Sequence, residues 1–247
     1  MYIRTIPYSK TGYFTKLMCD YLAEKEILSD FYGRFPKLER FKEQLDEKQL
    51  SFNSDSRKTL VRALQKQYEN TNTSEATLNN ISSLSEANTF TITTGHQLNL
   101  FTGPLYFLYK IFSVINLSEK LKENYPDSNF VPIYWMATED HDFDEINYFN
   151  LFGKKIEWKR ESGGAVGALS TEGLSEISEE LKIQFGESDN AIKLANLFSE
   201  AYTAHENLAE ATRYLGNKLF SDYGLVIVDG NDKALKEEFV PYVKQEL

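Results

Sequence analysis

Apolar and polar positions alternate over residues 89–94, where threonines bracket Phe90 and Ile92. That period of two predicts a β-strand ending at Gly95. A polar turn follows, Gly95-His96-Gln97, and then Phe101-Thr102-Gly103-Pro104. Beyond it the period lengthens. Leu105, Leu108, Ile111, Phe112 and Ile115 recur at helical spacing, and Pro104 suits the first turn, where its missing N–H costs nothing. The unbroken apolar run Phe130-Val131-Pro132-Ile133-Tyr134-Trp135-Met136 predicts a second, buried strand, ending in Glu139-Asp140-His141-Asp142. Strand, loop, helix, strand is a βαβ unit, with its two strands parallel and neighbouring or nearly so. Ligands of such sheets bind outside the carboxyl ends of the strands. Both polar clusters fall at that edge, so the chemistry is expected there.

The remaining patterns fill in around this unit. The first ninety residues read as helices covering one face of the sheet. Phe14, Leu17, Met18, Tyr21 and Leu22 form one stripe, Leu38, Phe41 and Leu45 another, and Leu60, Val61, Leu64 and Tyr68 a third. Residues 70–88 are polar, with only Leu78, Ile81 and Leu84 as a thin stripe, which predicts a marginal surface helix. Residues 148–159 read as a hairpin turning at Gly153-Lys154-Lys155. The glycine-rich run at 163–167 lacks the strand-to-helix setting of a phosphate loop and reads as a plain connection. Helical patterns then lead to Leu225-Val226-Ile227-Val228, a third buried strand that ends in Asp229-Gly230. An acid at the end of such a run is the look of a parallel strand meeting a site. From Asp232 a further helix begins, with Leu235, Phe239 and Val243 on one stripe and no closing signal, so a fragment of a longer protein is expected.

Composition narrows the function. The 247 residues are 41% hydrophobic and carry a net charge of -10, without a basic run, which argues against a nucleic-acid partner. No apolar stretch is long enough to span a membrane, and the N-terminus lacks the apolar segment of a secretory signal. A single cysteine, Cys19, fits a reducing cytoplasm, and its helical stripe predicts an inert buried thiol.

Two clusters are candidates for chemistry. Gly95-His96-Gln97 and Thr102-Gly103 flank a loop that enters a helix N-terminus, where unpaired N–H groups favour an anion. His96 adds a donor whose charge can change near neutral pH; the competing reading is a strand-end histidine capping backbone carbonyls. In the second cluster, Glu139, Asp140, His141 and Asp142, with Asp144 and Glu145, could hold Mg²⁺, orient an amine nucleophile, or act as acid and base. If the strand continues, Glu139 and His141 face away from Asp140 and Asp142; if a helix starts at Asp140, the acids favour its N-terminus. With three histidines and one cysteine in the chain, zinc is not expected. Arg34 is a reserve anion contact.

The segment TTGHQLNLFTGPLYFLYKIFSVINLSEKL followed by VPIYWMATEDHDFDEI resembles the bacillithiol biosynthesis cysteine-adding enzymes, the cysteine ligase BshC family. That family's hallmarks are a TGQQ- or TGHQ-type loop, an FTGP step into a helix, and a W-x-A-S/T-E-D-H-D-F-x-E-I segment. Trp135, Ala137, Thr138, Glu139, Asp140, His141, Asp142, Phe143, Glu145 and Ile146 fit the last without a gap. The resemblance implies an α/β, Rossmann-like parallel sheet flanked by helices, akin to the nucleotidyltransferases and class I synthetases. Residues 1–88 would be a helical segment packed on that core, and 89–247 the core itself, incomplete at its C-terminus. The implied reaction joins the carboxyl group of cysteine to the amine of glucosaminyl-malate, with ATP or ADP as cofactor, in a cytoplasmic homodimer whose coiled coil lies further along the chain. The reading of the two clusters is compatible with this reaction, and His96, Glu139, His141 and Asp142 are the catalytic candidates. Thr94, Gly95, Gln97, Thr102, Gly103, Asp140 and Asp229 are the binding candidates. The HIGH signature of the synthetases is not matched, since His96 stands alone after Gly95. The alternatives are a small-metabolite nucleotidyltransferase and a non-catalytic nucleotide- or metabolite-binding module.

Overall fold

The computed structural model describes residues 4–247, which divide into two compact units, one up to Ser51 and one from Phe52 to Leu247. In the first, α1 (Lys16–Leu22) is capped by Thr15, whose hydroxyl accepts from the Met18 N–H, and α2 (Phe41–Ser51) follows after short 3₁₀ turns. The apolar stripe of α1 does not make a core: Phe14, Leu17, Met18 and Leu22 are all exposed, and Cys19 is half-buried where a buried thiol was expected. The buried member of α1 is Asp20, held between Lys16 and Lys25. Arg34 is no free anion contact either, because Glu43 and Glu47 already pair with its guanidinium.

The second unit is an α/β layer structure. Its helices α3 (Ser54–Gln67) and α4 (Glu75–Ser83) precede β1 (Thr89–His96), α5 (Tyr106–Asn124) and β2 (Asn129–Met136). Then come a one-turn helix α6 (Phe143–Ile146), the hairpin β3 (Tyr148–Leu151) and β4 (Lys154–Glu157), and α7 (Leu174–Phe185), α8 (Asp189–Thr203) and α9 (Leu208–Phe220). The unit closes with β5 (Val226–Asp229) and α10 (Lys233–Glu246). The sheet is parallel throughout, in the order β1-β2-β5. Its middle strand is β2, which explains why Phe130–Tyr134 is continuously apolar: both of its faces are covered. The edge strand β1 alternates because one face meets water. Val131, Tyr134 and Met136 pack with Ile111, Ile115 and Ile227 in one core.

Three local readings need correction. The hairpin turns at Phe152-Gly153, both with positive φ, one residue before the expected turn. Residues 75–83 are no marginal surface helix. The Thr77 hydroxyl lies 3.1 Å from the Leu225 carbonyl and Asn80 donates to the Gly224 carbonyl at 2.7 Å, so polar side chains fasten α4 to the turn that starts β5, while Ile81 and Leu84 are buried. The helix after Pro104 starts at Tyr106, behind Thr102 and Gly103, whose positive φ values (71° and 61°) keep the turn non-helical. Among the described residues no helix is long and apolar enough to cross a membrane.

Candidate functional site

Parallel register aligns the carboxyl ends of the three strands. His96 lies beside Met136, and Met136 beside Asp229. Each strand then runs into a polar loop, and the three loops meet above this line.

His96 is the last residue of β1 and is 6% exposed. Its ring packs against Tyr106 and Phe107 at centroid distances of 5.1 and 5.4 Å, and its Nε2 is buried without a hydrogen-bond partner. Burial, and to a lesser degree the Lys110 cation, push its pKa down to about 4, so the imidazole is neutral at pH 7. The expected switch near neutrality is therefore absent, because charging the ring would bury an unpaired cation. The folded state holds fewer protons than the unfolded chain between about pH 6.5 and pH 4, so stability is full above that window and falls as pH drops through it. Between pH 7 and pH 5 the wild type should lose about 2 kcal/mol that His96→Gln does not lose. Urea unfolding of both proteins at the two pH values checks this; equal losses would show that His96 titrates normally.

The loop after β1 is braced against the loop after β2. Gln97 Nε2 donates to Asp140 Oδ2 at 3.0 Å and also to Glu145, while Asn99 Nδ2 donates to the Glu145 carbonyl at 3.1 Å. The Gln97 hydrogen bond, with the His141 and Asp142 N–H groups that reach Asp140 Oδ1, holds the Asp140 carboxyl below the usual range. Two loop N–H groups are already occupied, Phe101 by the Tyr202 hydroxyl (2.9 Å) and Gly103 by the Leu100 carbonyl (3.0 Å). Lys110 Nζ sits 3.2 Å from the Gly95 carbonyl.

The strand does not continue through the acidic segment, nor does a helix start at Asp140. Residues 138–139 form a turn, 140–142 are irregular, and Asp142 is the N-cap of α6, accepting from the Glu145 N–H. Neighbouring carboxylates consequently diverge. Asp140 turns to the β1 side, towards Gln97. Glu139 turns to the β5 side, where its Oε1 accepts from Trp135 Nε1 at 3.2 Å. His141 is exposed, and among the described residues its ring makes no hydrogen bond or ring contact; its charge helps to hold the Asp140 carboxyl low. Asp229 is joined by the Thr138 hydroxyl and by the Asn231 N–H at 2.9 Å, so the ends of β2 and β5 are tied together. Thr94 is half-buried on β1, below this surface, and Thr102 and Gly103 lie half-buried in the loop before α5.

Two supports were not visible as site residues in the sequence. Gln67, on α3, accepts from the Asp229 N–H (2.9 Å) and from Arg213 Nη2 (2.9 Å), which fixes the end of β5. The glycine-rich run is no plain connection: Val166 and Gly167 donate to the carbonyls of Asp140 (2.7 Å) and Thr138 (3.0 Å). A Cβ on Gly167 would stand 2.6 Å from Thr138 Cβ and 3.0 Å from its Cα. Gly167→Ala should therefore push the 138–140 segment outward and destabilise the chain by about 1–3 kcal/mol. A thermal melt unchanged within error would mean that the two loops separate freely.

Among the described residues, no three His, Cys, Asp or Glu side chains group as a metal site. Asp140 and Glu145 are gathered on the Gln97 amide, whose N–H groups occupy one oxygen of each.

Comparison with known proteins agrees with this geometry. The family model for the bacillithiol biosynthesis BshC N-terminal Rossmann-like domain matches residues 1–247. A protein of Flavobacterium psychrophilum named "Putative cysteine ligase BshC" is 59% identical over 243 residues, covering 98% of this chain and 46% of the relative. Proteins of the same name from Flavobacterium johnsoniae and Christiangramia forsetii are 56% and 54% identical, again over 98% of this chain and 46% of theirs. The chain thus spans about half the length of the curated relatives it matches. A parallel β1-β2-β5 sheet with its polar loops at one edge, and a match that runs over every residue, lead to one assignment: the chain belongs to the BshC family of bacillithiol biosynthesis and corresponds to its N-terminal Rossmann-like domain.

Proposed function

We propose that this chain is the Rossmann-like part of a cytoplasmic, homodimeric cysteine ligase that joins the carboxyl group of cysteine to the amine of glucosaminyl-malate with consumption of ATP. The observation that carries the reading is the meeting of three strand ends in one polar surface, with Gln97, Asp140 and Glu145 on one side of β2 and Glu139, Thr138 and Asp229 on the other. ATP would supply the activation that a carboxylate needs before an amine can displace oxygen from it.

The residues present suit that cosubstrate in part. Gly95, Gln97, Thr102 and Gly103 would border the entry to α5, where helix-end N–H groups favour phosphate, with Thr94 below them on β1 and the buried, unpartnered His96 Nε2 at its base. A neutral imidazole donates without bringing charge, so His96 would polarise an oxygen by hydrogen bonding, as oxyanion donors do. Asp140 would reach the Mg²⁺ accompanying the phosphates. On the other side Glu139, His141 and Asp142 would orient the amine and take its proton, and Asp229 would fix the substrate through Thr138.

The test is direct. The full-length protein, given cysteine, glucosaminyl-malate, ATP and Mg²⁺, should yield the amide, detected by mass, with one nucleotide consumed per product. Binding of all three compounds without product, in the full-length protein, would favour a non-catalytic module. A product carrying a nucleotide would favour a nucleotidyltransferase.

A further inference from the structure

On the β5 side of β2 the site opens into a cavity of about 600 Å³. Its walls are mainly apolar and aromatic: Phe52, Leu60, Trp135, Leu235, Phe239 and Tyr242. Trp135 is unlike the chain's other tryptophan. Trp158 is buried and donates to the Glu172 carbonyl, whereas Trp135 is 37% exposed and lines the cavity.

The polar groups set the charge of the ligand. Three charged residues line the cavity, Glu139, Lys236 and Glu238. Glu238 already accepts from the Ser56 hydroxyl at 2.8 Å, and Lys236 donates to Asn231. Glu139 forms no ion pair among the described residues; its Oε1 is fixed by the indole N–H, which leaves Oε2 open. Gly230 makes this arrangement possible. A Cβ there would stand 2.5 Å from Trp135 Cζ2 and 2.8 Å from Glu139 Oε2, so a larger residue would force the indole or the backbone at 230 to shift.

An indole face beside an unneutralised carboxylate recognises a ring with apolar C–H faces and a primary ammonium group. A phosphate-rich ligand would instead meet a surplus of negative charge here. We infer that the Trp135–Glu139 cavity is the amino-sugar subsite: the sugar ring lies on the Trp135 indole and its amine pairs with Glu139. This rests on the ligase reading for the identity of the amine, but the placement follows from the cavity's own charge and shape. It also separates the roles of the two loop clusters, with the amine on the β5 side and the activated carboxyl on the β1 side of β2.

The experiment is calorimetric titration of the full-length protein with glucosaminyl-malate, with its glucosyl analogue (hydroxyl in place of amine), and with ATP. The amine ligand should bind at least about 10-fold more tightly than the hydroxyl analogue. Glu139→Gln should erase that preference, weakening the amine ligand about 10–100-fold, the range for a hydrogen bond to a charged group. Trp135→Ala should weaken both sugars and leave ATP unchanged. Glu139 is exposed, so the variant should fold, and a melting curve checks this. An intact preference in Glu139→Gln, or weakened ATP binding in either variant, would sink the subsite. The two readings fail separately. A Glu139-dependent preference without any amide product upholds the subsite and removes the ligase reading. Amide product from an enzyme whose amine preference ignores Glu139 does the reverse.

Discussion

Arg213→Ala should destabilise the chain by about 3 kcal/mol, which for a unit of this size is roughly 6–12 °C in melting temperature. Arg213 is buried on α9, and its guanidinium spans the end of the sheet. Nη1 donates to the Ile227 carbonyl at 2.8 Å and Nη2 to Gln67 Oε1 at 2.9 Å, and the group lies 5.1 Å over the Tyr68 ring. Two hydrogen bonds from a charged donor and a cation–π contact would be lost together. Part of that loss is offset, because burial already disfavours the charge and holds the Arg213 pKa below its ordinary value. A neutral chain of similar length separates these contributions. Arg213→Met keeps most of the packing and drops the desolvation cost, so it should lose about half as much as alanine. Urea unfolding of both variants measures the difference. Hydrogen exchange at Ile227 and Asp229 should also speed up, since Gln67 loses the partner that steadies its grip on Asp229. A stability loss below about 1 kcal/mol for alanine would show that the β5 end is held by its strand pairing alone.

Much of this fold was legible because its central strands obey simple periodicity. The buried run of β2 and the apolar β5 are what a parallel strand covered on both faces requires. The candidate site was placed by topology alone, from the rule that ligand-binding loops gather at carboxyl strand ends. What stayed hidden were contacts between distant segments. Gln67 and Asp229 are far apart in sequence, and nothing in the local pattern of α3 marks Gln67 as the residue that closes β5. Polarity was misleading at α4, where Thr77 and Asn80 face protein carbonyls in place of water. It was equally misleading at Gly167, where the absence of a side chain serves close packing against Thr138. His96 had a recognisable position but not a recognisable charge, because the depression of its pKa depends on the burial that Tyr106 and Phe107 provide. The apolar stripe of α1 shows the opposite error: a good helical pattern whose large side chains remain exposed.

His141→Ala in the full-length protein should lower the rate of amide formation by about 10²–10⁴-fold, the range of a general acid or base, while leaving stability within about 0.5 kcal/mol. The structure makes this variant clean. The imidazole is exposed and, among the described residues, forms no hydrogen bond and packs on no ring, so its removal opens no cavity; what it gives up is a charge interaction with Asp140. Its backbone N–H, which does hold Asp140 at 2.7 Å, survives the substitution. If His141 acts as the acid or base proposed above, its loss should therefore appear in the rate and not in stability. Asp142 is the instructive contrast. Its carboxylate caps α6 through the Glu145 N–H, and asparagine caps nearly as well, so Asp142→Asn should also fold normally. If Asp142 acts only as that cap, its variant keeps near wild-type turnover; if it shares in proton transfer, it falls with His141→Ala. Saturating rates and melting curves for the two variants, measured side by side, distinguish these cases. Wild-type turnover in His141→Ala would remove His141 from the mechanism and leave Glu139 as the base to test.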